Sequence, residues 1–206
     1  MSDCLIHPIT AQSFAIIDRE IGEHSFTAPE YAIVRRIIHT TADFEFKQLT
    51  RFTDGAIAFA LEAIAHRTPI VVDVGMVKQG IVGLLIKTFG NEVITALDFS
   101  SEQADRGDRT RSELGMRQCM QAYPEAIFAI GNAPTALLAL CQPTDFIFTP
   151  KLIIGAPVGF VSVLESKAAL ARSPHPHIRV EGRKGGSPVA AAIVNALVTL
   201  AWERRS

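Results

Sequence analysis

Five short runs of mostly β-branched, apolar residues recur through the last two-thirds of the chain, and they constrain the fold more than any other feature. They are Ile70-Val71-Val72-Asp73-Val74, Val93-Ile94-Thr95-Ala96-Leu97, Ala126-Ile127-Phe128-Ala129-Ile130, Lys151-Leu152-Ile153-Ile154 and Ile178-Arg179-Val180. A strand covered on one face alternates apolar with polar residues, whereas a continuous apolar run suits a strand covered on both. Helical patterns separate most of these runs, at roughly 108–123, 134–142 and 161–171, and another follows the last at 187–202. Strand and helix in alternation predict βαβ units and a layered α/β fold with a mainly parallel sheet.

The first third reads as helical. Thr10 is a candidate cap for a helix running to about Ile21, with Phe14, Ile17 and Ile21 on one face. Thr27-Ala28-Pro29-Glu30 matches a capping box and predicts a second helix to about Thr40. A third helix is expected from about Asp54 to before Pro69, with Ile57, Leu61 and Ile64 at helical spacing. No stretch rich in Ser, Gly or Pro divides the chain, so residues 1–206 read as one domain, a length that buries a full core. The polar stretch Phe99 to Arg111 reads as a surface loop entering a helix.

Charge and cysteine content narrow the function classes. With 20 basic and 21 acidic residues the formal net charge is −1, which lacks the basic excess of a general nucleic-acid binder. Cys4, Cys119 and Cys141 are odd in number and lie at neither metal nor redox spacing, which fits a reducing compartment. No run approaches the roughly 20 apolar residues of a membrane span, and the amino terminus has no signal-peptide pattern. The chain reads as soluble and cytoplasmic.

Ligands of open parallel sheets bind beyond the carboxyl ends of the strands. Four segments there are rich in glycine and small residues: Asp73-Val74-Gly75-Met76, Gly131-Asn132-Ala133-Pro134-Thr135, Gly155-Ala156-Pro157-Val158-Gly159-Phe160 and Gly182-Arg183-Lys184-Gly185-Gly186-Ser187. Each by itself can be simply a turn; several on one edge point to a ligand cleft. The last adds two cations and a helix start, which suit an anion. No Gly-x-Gly-x-x-Gly follows a strand, and no P-loop ending is present.

His39 is the candidate proton donor. It falls near the end of the second helix, off the buried stripe of Ile33, Val34 and Ile37, with Arg35 and Arg36 one turn earlier. A helix carboxyl end favours imidazolium and the guanidinium groups oppose it, a balance that poises the ring near neutrality. The bland alternative is a structural or merely exposed histidine. Arg111, at a predicted helix start, has the fork that suits a carboxylate, or is a solvated arginine. His175-Pro176-His177 lacks a third ligand at metal spacing, so no metal site is read from it.

Taken in order, several motifs resemble the precorrin-8X methylmutase family. They are Gln12-Ser13-Phe14-Ala15-Ile16-Ile17, Arg36-Ile37-Ile38-His39, Gly131-Asn132-Ala133-Pro134-Thr135-Ala136-Leu137, Gly155-Ala156-Pro157-Val158-Gly159-Phe160-Val161 with Glu165-Ser166-Lys167, and Gly182-Arg183-Lys184-Gly185-Gly186-Ser187. The resemblance runs from residue 12 to about residue 195. It implies a flavodoxin-like, three-layer α/β/α fold with a helical amino-terminal segment, and a homodimer with active sites near the subunit interface. It implies an isomerase that moves a methyl group from C11 to C12 of precorrin-8X or cobalt-precorrin-8, giving hydrogenobyrinic or cobyrinic acid in cobalamin biosynthesis. Neither a redox cofactor nor an outside methyl donor is implied. The family's histidine matches His39, and its substrate-contacting Ser and Arg match Ser13 and Arg111. A tetrapyrrole with many carboxylate arms suits Arg183, Lys184 and the loop positions Gly131, Asn132, Gly159, Gly185, Gly186 and Ser187, with Met76 against the ring. The segment Ile81-Val82-Gly83-Leu84-Leu85 departs from the family's pattern, and no contact is carried over there. Two other readings fit the same residues: a non-catalytic corrinoid carrier or sensor, and an unrelated α/β enzyme for a phosphorylated metabolite.

Overall fold

The computed structural model describes residues 7–100 and 109–205. Cys4 and most of the polar stretch after Phe99 lie outside them. Helix α1 (Pro8–Glu20) starts two residues before Thr10, because Pro8 suits a first helical turn and the His7 Nδ1 accepts from the Ile9 N–H at 3.2 Å. Helix α2 (Ala28–Thr41) opens at Thr27, whose N–H and hydroxyl both donate to the Glu30 carboxylate at 2.8 and 2.7 Å. It closes on Ala42 in the left-handed conformation, with φ at 53°.

Two elements were not apparent in the sequence pattern before the first predicted strand. A single turn, α3 (Phe46–Leu49), leads into β1 (Thr50–Phe52), so the amino-terminal segment is helical but interrupted by a strand. Three residues carry no detectable alternation; β1 exists because it pairs antiparallel with the last strand, Thr50 opposite Val180. Helix α4 (Ala56–Ala65) follows.

The remaining order is β2 (Ile70–Val72), α5 (Gly75–Lys87), β3 (Val93–Thr95), α6 (Ala96–Phe99), α7 (Arg111–Ala122), β4 (Ile127–Ile130), α8 (Pro134–Leu140), β5 (Leu152–Gly155), α9 (Val163–Arg172), β6 (His177–Val180) and α10 (Ser187–Glu203). All five predicted runs form strands. Helix α5 is the larger difference from the sequence reading, which places no helix between the first two runs. Its Gly75, Gly80 and Gly83 dilute the helical signal. Burial of Val77, Ile81 and Leu85 on one face supplies what propensity lacks.

The sheet order is β1-β6-β5-β4-β2-β3, and every pair except β1–β6 is parallel. The parallel part is therefore the flavodoxin-like arrangement, with a switch point between β2 and β4. The continuous apolar runs split between two cores. Ile70, Val72, Ile127, Ala129, Leu152 and Ile154 face α1, α2, α4, α5 and α10. Val71, Phe128, Ile130 and Ile153 face the opposite layer of α6, α7 and α8, with Leu170 of α9. Among the described residues no helix is long and apolar enough to cross a membrane.

Phe128 is fully buried in a central strand. Phe128→Ala is expected to cost about 3–5 kcal/mol, from lost burial plus the cavity left behind. Urea denaturation should show a lower midpoint at unchanged slope; an unchanged midpoint would contradict this packing.

Candidate functional site

The switch point is closed by one buried carboxylate. Asp73 follows β2 directly and is fully buried. Its two oxygens accept the backbone N–H groups of Gly131 at 3.1 Å, Asn132 at 2.7 Å and Ala133 at 2.7 Å. These are the orphan donors between β4 and α8, and an uncapped buried N–H is costly. Burial pushes the Asp73 carboxyl up from its ordinary range, while the three donors oppose that shift. Gly131 is required here: a Cβ on it would lie 2.7 Å from the Ser187 Cα, backbone that cannot move aside. The β4–α8 turn and the start of α10 thus sit against each other.

His39 lies in the last turn of α2 and lines an open cleft with Arg36, Met76, Gly80, Ser187, Pro188 and neighbouring α10 residues. The cleft encloses about 420 Å³, within the range of roughly 300–1,000 Å³ of small-molecule sites. Ser13 of α1 approaches from the other side of the ring, its hydroxyl 2.8 Å from His39 Nδ1. Phe14 packs edge-on to the same imidazole, with ring centroids 5.3 Å apart. Burial, then the Arg36 guanidinium, lower the His39 imidazole from its ordinary value and so favour the neutral ring. The Ser13 hydroxyl can either donate to or accept from Nδ1; the tautomer in which it donates carries the ring proton on Nε2, which has no partner among the described residues.

Met76, in the first turn of α5, is 68% exposed. With Pro188, Ala191 and Ala192 it gives the cleft an apolar lining able to meet a flat ring. Arg36 also lines the cleft, and the sequence reading treats it only as a charge beside His39. The i, i+3 spacing to His39 is the signal for it, since such residues share a helix face. Arg35, by contrast, is taken by Asp18 at 3.0 Å.

The Gly-rich segment before α10 is anchored from beneath. Lys167 of α9 is only 4% exposed, and its ammonium donates to the carbonyls of Gly182 and Lys184 at 2.8 and 2.7 Å. Burial lowers its pKa to about 8. Gly185 and Gly186 have φ of 153° and 120°, and the Gly186 N–H donates to the Ala156 carbonyl at 2.8 Å. Gly159 donates to the Arg183 carbonyl at 3.3 Å, which joins the post-β5 loop to this segment.

The two cations of the segment differ. The Arg183 guanidinium lies 5.7 Å from the Phe160 ring centroid and has no carboxylate partner among the described residues. Lys184 is held by Asp43 and Glu45, both at 2.6 Å, so in this structure it ties the segment to the end of α2 instead of standing open. Arg111 is on the same sheet edge but opens α7, in the opposite layer from His39, and its Nε donates to the Ser100 hydroxyl at 3.3 Å. The structure does not bring Arg111 into the His39 cleft. His177 of the His-Pro-His run has both ring nitrogens within hydrogen-bond distance of protein groups, the His175 carbonyl and the Arg179 guanidinium.

The family model for precorrin-8X methylmutase (CbiC) matches residues 8–200. A cobalt-precorrin-8 methylmutase of Synechocystis is 54% identical, with 96% of this chain and 97% of that protein covered. A precorrin-8X methylmutase of Pseudomonas aeruginosa is 36% identical, over 93% and 94% of the two chains. A crystal structure of precorrin-8x methyl mutase from Thermus thermophilus superposes with a TM-score of 0.88 at 43% identity, covering 95% of this chain and 96% of that one.

Asp73→Asn would turn an amide N–H₂ toward backbone donors. It is expected to lose about 1.5–3 kcal/mol of stability, the worth of hydrogen bonds to a charged group. Chemical denaturation checks this; stability within 0.5 kcal/mol of the parent would contradict the role given to the carboxylate. Ser13→Ala is expected to move the His39 tautomer equilibrium, read from the imidazole ¹⁵N shifts, with the fold intact.

Proposed function

The chain belongs to the precorrin-8X methylmutase family, and on that premise we propose how its own residues carry out the isomerisation and where they hold the substrate. The reaction moves a methyl group from C11 to C12 of precorrin-8X or its cobalt form, within cobalamin biosynthesis. The bond to C11 breaks as the bond to C12 forms, so substrate and product have the same composition and no oxidant or outside methyl donor enters the balance.

The observation that carries the residue assignment is the Ser13–His39 pair. It leaves one imidazole nitrogen for the cleft while the other is held at 2.8 Å. His39 donates its Nε2–H to the macrocycle during migration, stabilising the charge that develops as the methyl leaves C11. Burial and Arg36 disfavour the imidazolium, so the neutral ring is the donor, and its tautomer is what Ser13 sets. Ser13 is in this reading a positioning residue. Met76 and the small α10 residues receive the face of the ring. Arg36, Arg183 and the N–H-rich turns receive carboxylate arms. The cleft is open on one side, and we assign a second copy of the chain to that side. Arg111, outside the cleft of its own chain, then contacts substrate from a neighbouring part of a homodimer site. The enzyme works in the cytoplasm, where the cysteines stay reduced.

His39→Ala is expected to keep corrinoid binding and lose turnover by roughly 10²–10³-fold, the usual cost of one preorganised donor. Absorption spectroscopy after incubation with precorrin-8X and with cobalt-precorrin-8 reads both conversion and metal preference. Tight product binding without conversion by the wild-type protein would instead make it a carrier. The kcat of the wild type should not rise as pH falls from 7.5 to 6, because burial and Arg36 favour the neutral ring as the donor. A rate that climbs as pH falls through this range would assign the imidazolium instead.

A further inference from the structure

A hydrogen bond to one nitrogen does not by itself fix an imidazole, because the outer torsion of histidine is broad and roughly two-fold. The plane of the His39 ring needs a second contact besides the Ser13 hydroxyl. Phe14, the next residue of α1, supplies it, its ring at 79° to the imidazole with centroids 5.3 Å apart. Core atoms do not fill the space around Phe14. A cavity of about 50 Å³ opens beside it, lined also by Arg35, Arg36, Ala196 and Leu200. What lies over the ring is the Arg35 guanidinium, 4.4 Å from the Phe14 centroid, well inside cation–π range. Arg36 is further from the same ring, at 5.6 Å.

The Arg35 guanidinium is itself held. Tyr31, Arg35 and His39 recur every four residues on α2, and Phe14 and Asp18 are four apart on α1, so the five side chains meet along one helix–helix seam. Arg35 Nη1 donates to both Asp18 carboxylate oxygens, at 3.0 and 3.3 Å, and the Tyr31 hydroxyl donates to the same carboxylate. Arg35 Nε is buried without an acceptor among the described residues. A guanidinium placed for its hydrogen bonds alone would not leave that donor unmade; its position follows the ring beneath it. The Arg35 and Asp18 side chains are 25% and 42% exposed, and an ion pair that open contributes little to stability. We infer that Asp18, Arg35 and Phe14 form a clamp that sets the rotation of the His39 ring, with Arg35 the positioning residue and Phe14 the part that touches the imidazole. This rests on the reading of His39 as the donor to the macrocycle.

Arg35→Met keeps the reach of the side chain and removes its charge. It should lower kcat roughly 5- to 30-fold through misplacement of the donor. KM should stay within about twofold of the parent, the pattern of an interaction felt only in the transition state. In ¹H–¹³C NMR of the free protein the His39 ring protons should shift as the Phe14 ring current moves off them, while the urea midpoint stays close to the parent's. Arg35→Lys, which keeps a cation for both the ring and Asp18, should recover part of the lost rate. In a Phe14→Leu background Arg35→Met should cost nothing further, because the contact it acts through is gone. A full additional loss there would show Arg35 acting by another route and would overturn the clamp. So would an unchanged kcat with unchanged His39 signals in Arg35→Met, or a kcat loss matched by a fallen urea midpoint. If Phe14→Leu fails to fold, the spectrum and rate of Arg35→Met still decide. A fully active His39→Ala protein would remove instead the reading on which the clamp rests.

Discussion

The site depends on the Asp73 carboxylate at the switch point of the sheet. Parallel strands end together at one edge, and each chain that leaves them exposes backbone donors with no ladder partner. Asp73 serves three at once. That fixes the β4–α8 turn, which in turn meets the start of α10 through Gly131, with no space for a side chain between them. Ser187 and Pro188 in the cleft wall are thereby linked to a carboxylate at the end of β2.

A second buried charge of opposite sign works at the other end of the same edge. Asp73 gathers N–H groups, whereas Lys167 gathers carbonyls. A buried charge is tolerated where its hydrogen-bonding capacity is filled by fixed dipoles. Here the dipoles belong to the loops at the sheet edge, so the cost of burial is converted into loop geometry. Helix α2 completes the arrangement by ending where the edge begins, which delivers His39 at the cleft and Ser13 behind it. The Ser13 contact at 2.8 Å fixes one edge of the imidazole from within the chain itself.

Much of this fold is legible in the residues. The five apolar runs had to be strands covered on both faces, and the capping box at Thr27 marks the start of α2 correctly. Helix α5 was hidden because its glycines lower the local signal and its stability comes from packing on α10. Strand β1 was hidden because three residues have no period of their own. In the site, His39 stood out by its place at a helix end with two arginines a turn before it. Lys167 was present in a motif but its task was not visible, since nothing local says which carbonyls an ammonium will find. Arg111 shows the opposite case: a motif match that one chain does not bring to the cleft.

What the sequence determined by itself is therefore everything that depends on neighbours along the chain: the period of burial, the caps, the glycines, and the family to which the motifs belong. What tertiary structure alone decided is each contact made across the sheet edge. Ser13 and His39 are 26 residues apart, Asp73 and Gly131 are 58 apart, and Lys184 and Asp43 are 141 apart. The physical reason is that a hydrogen bond is satisfied by whichever partner packing brings within 3 Å, and packing is set by the whole core. Residue type limits the candidates; only the closed fold selects among them.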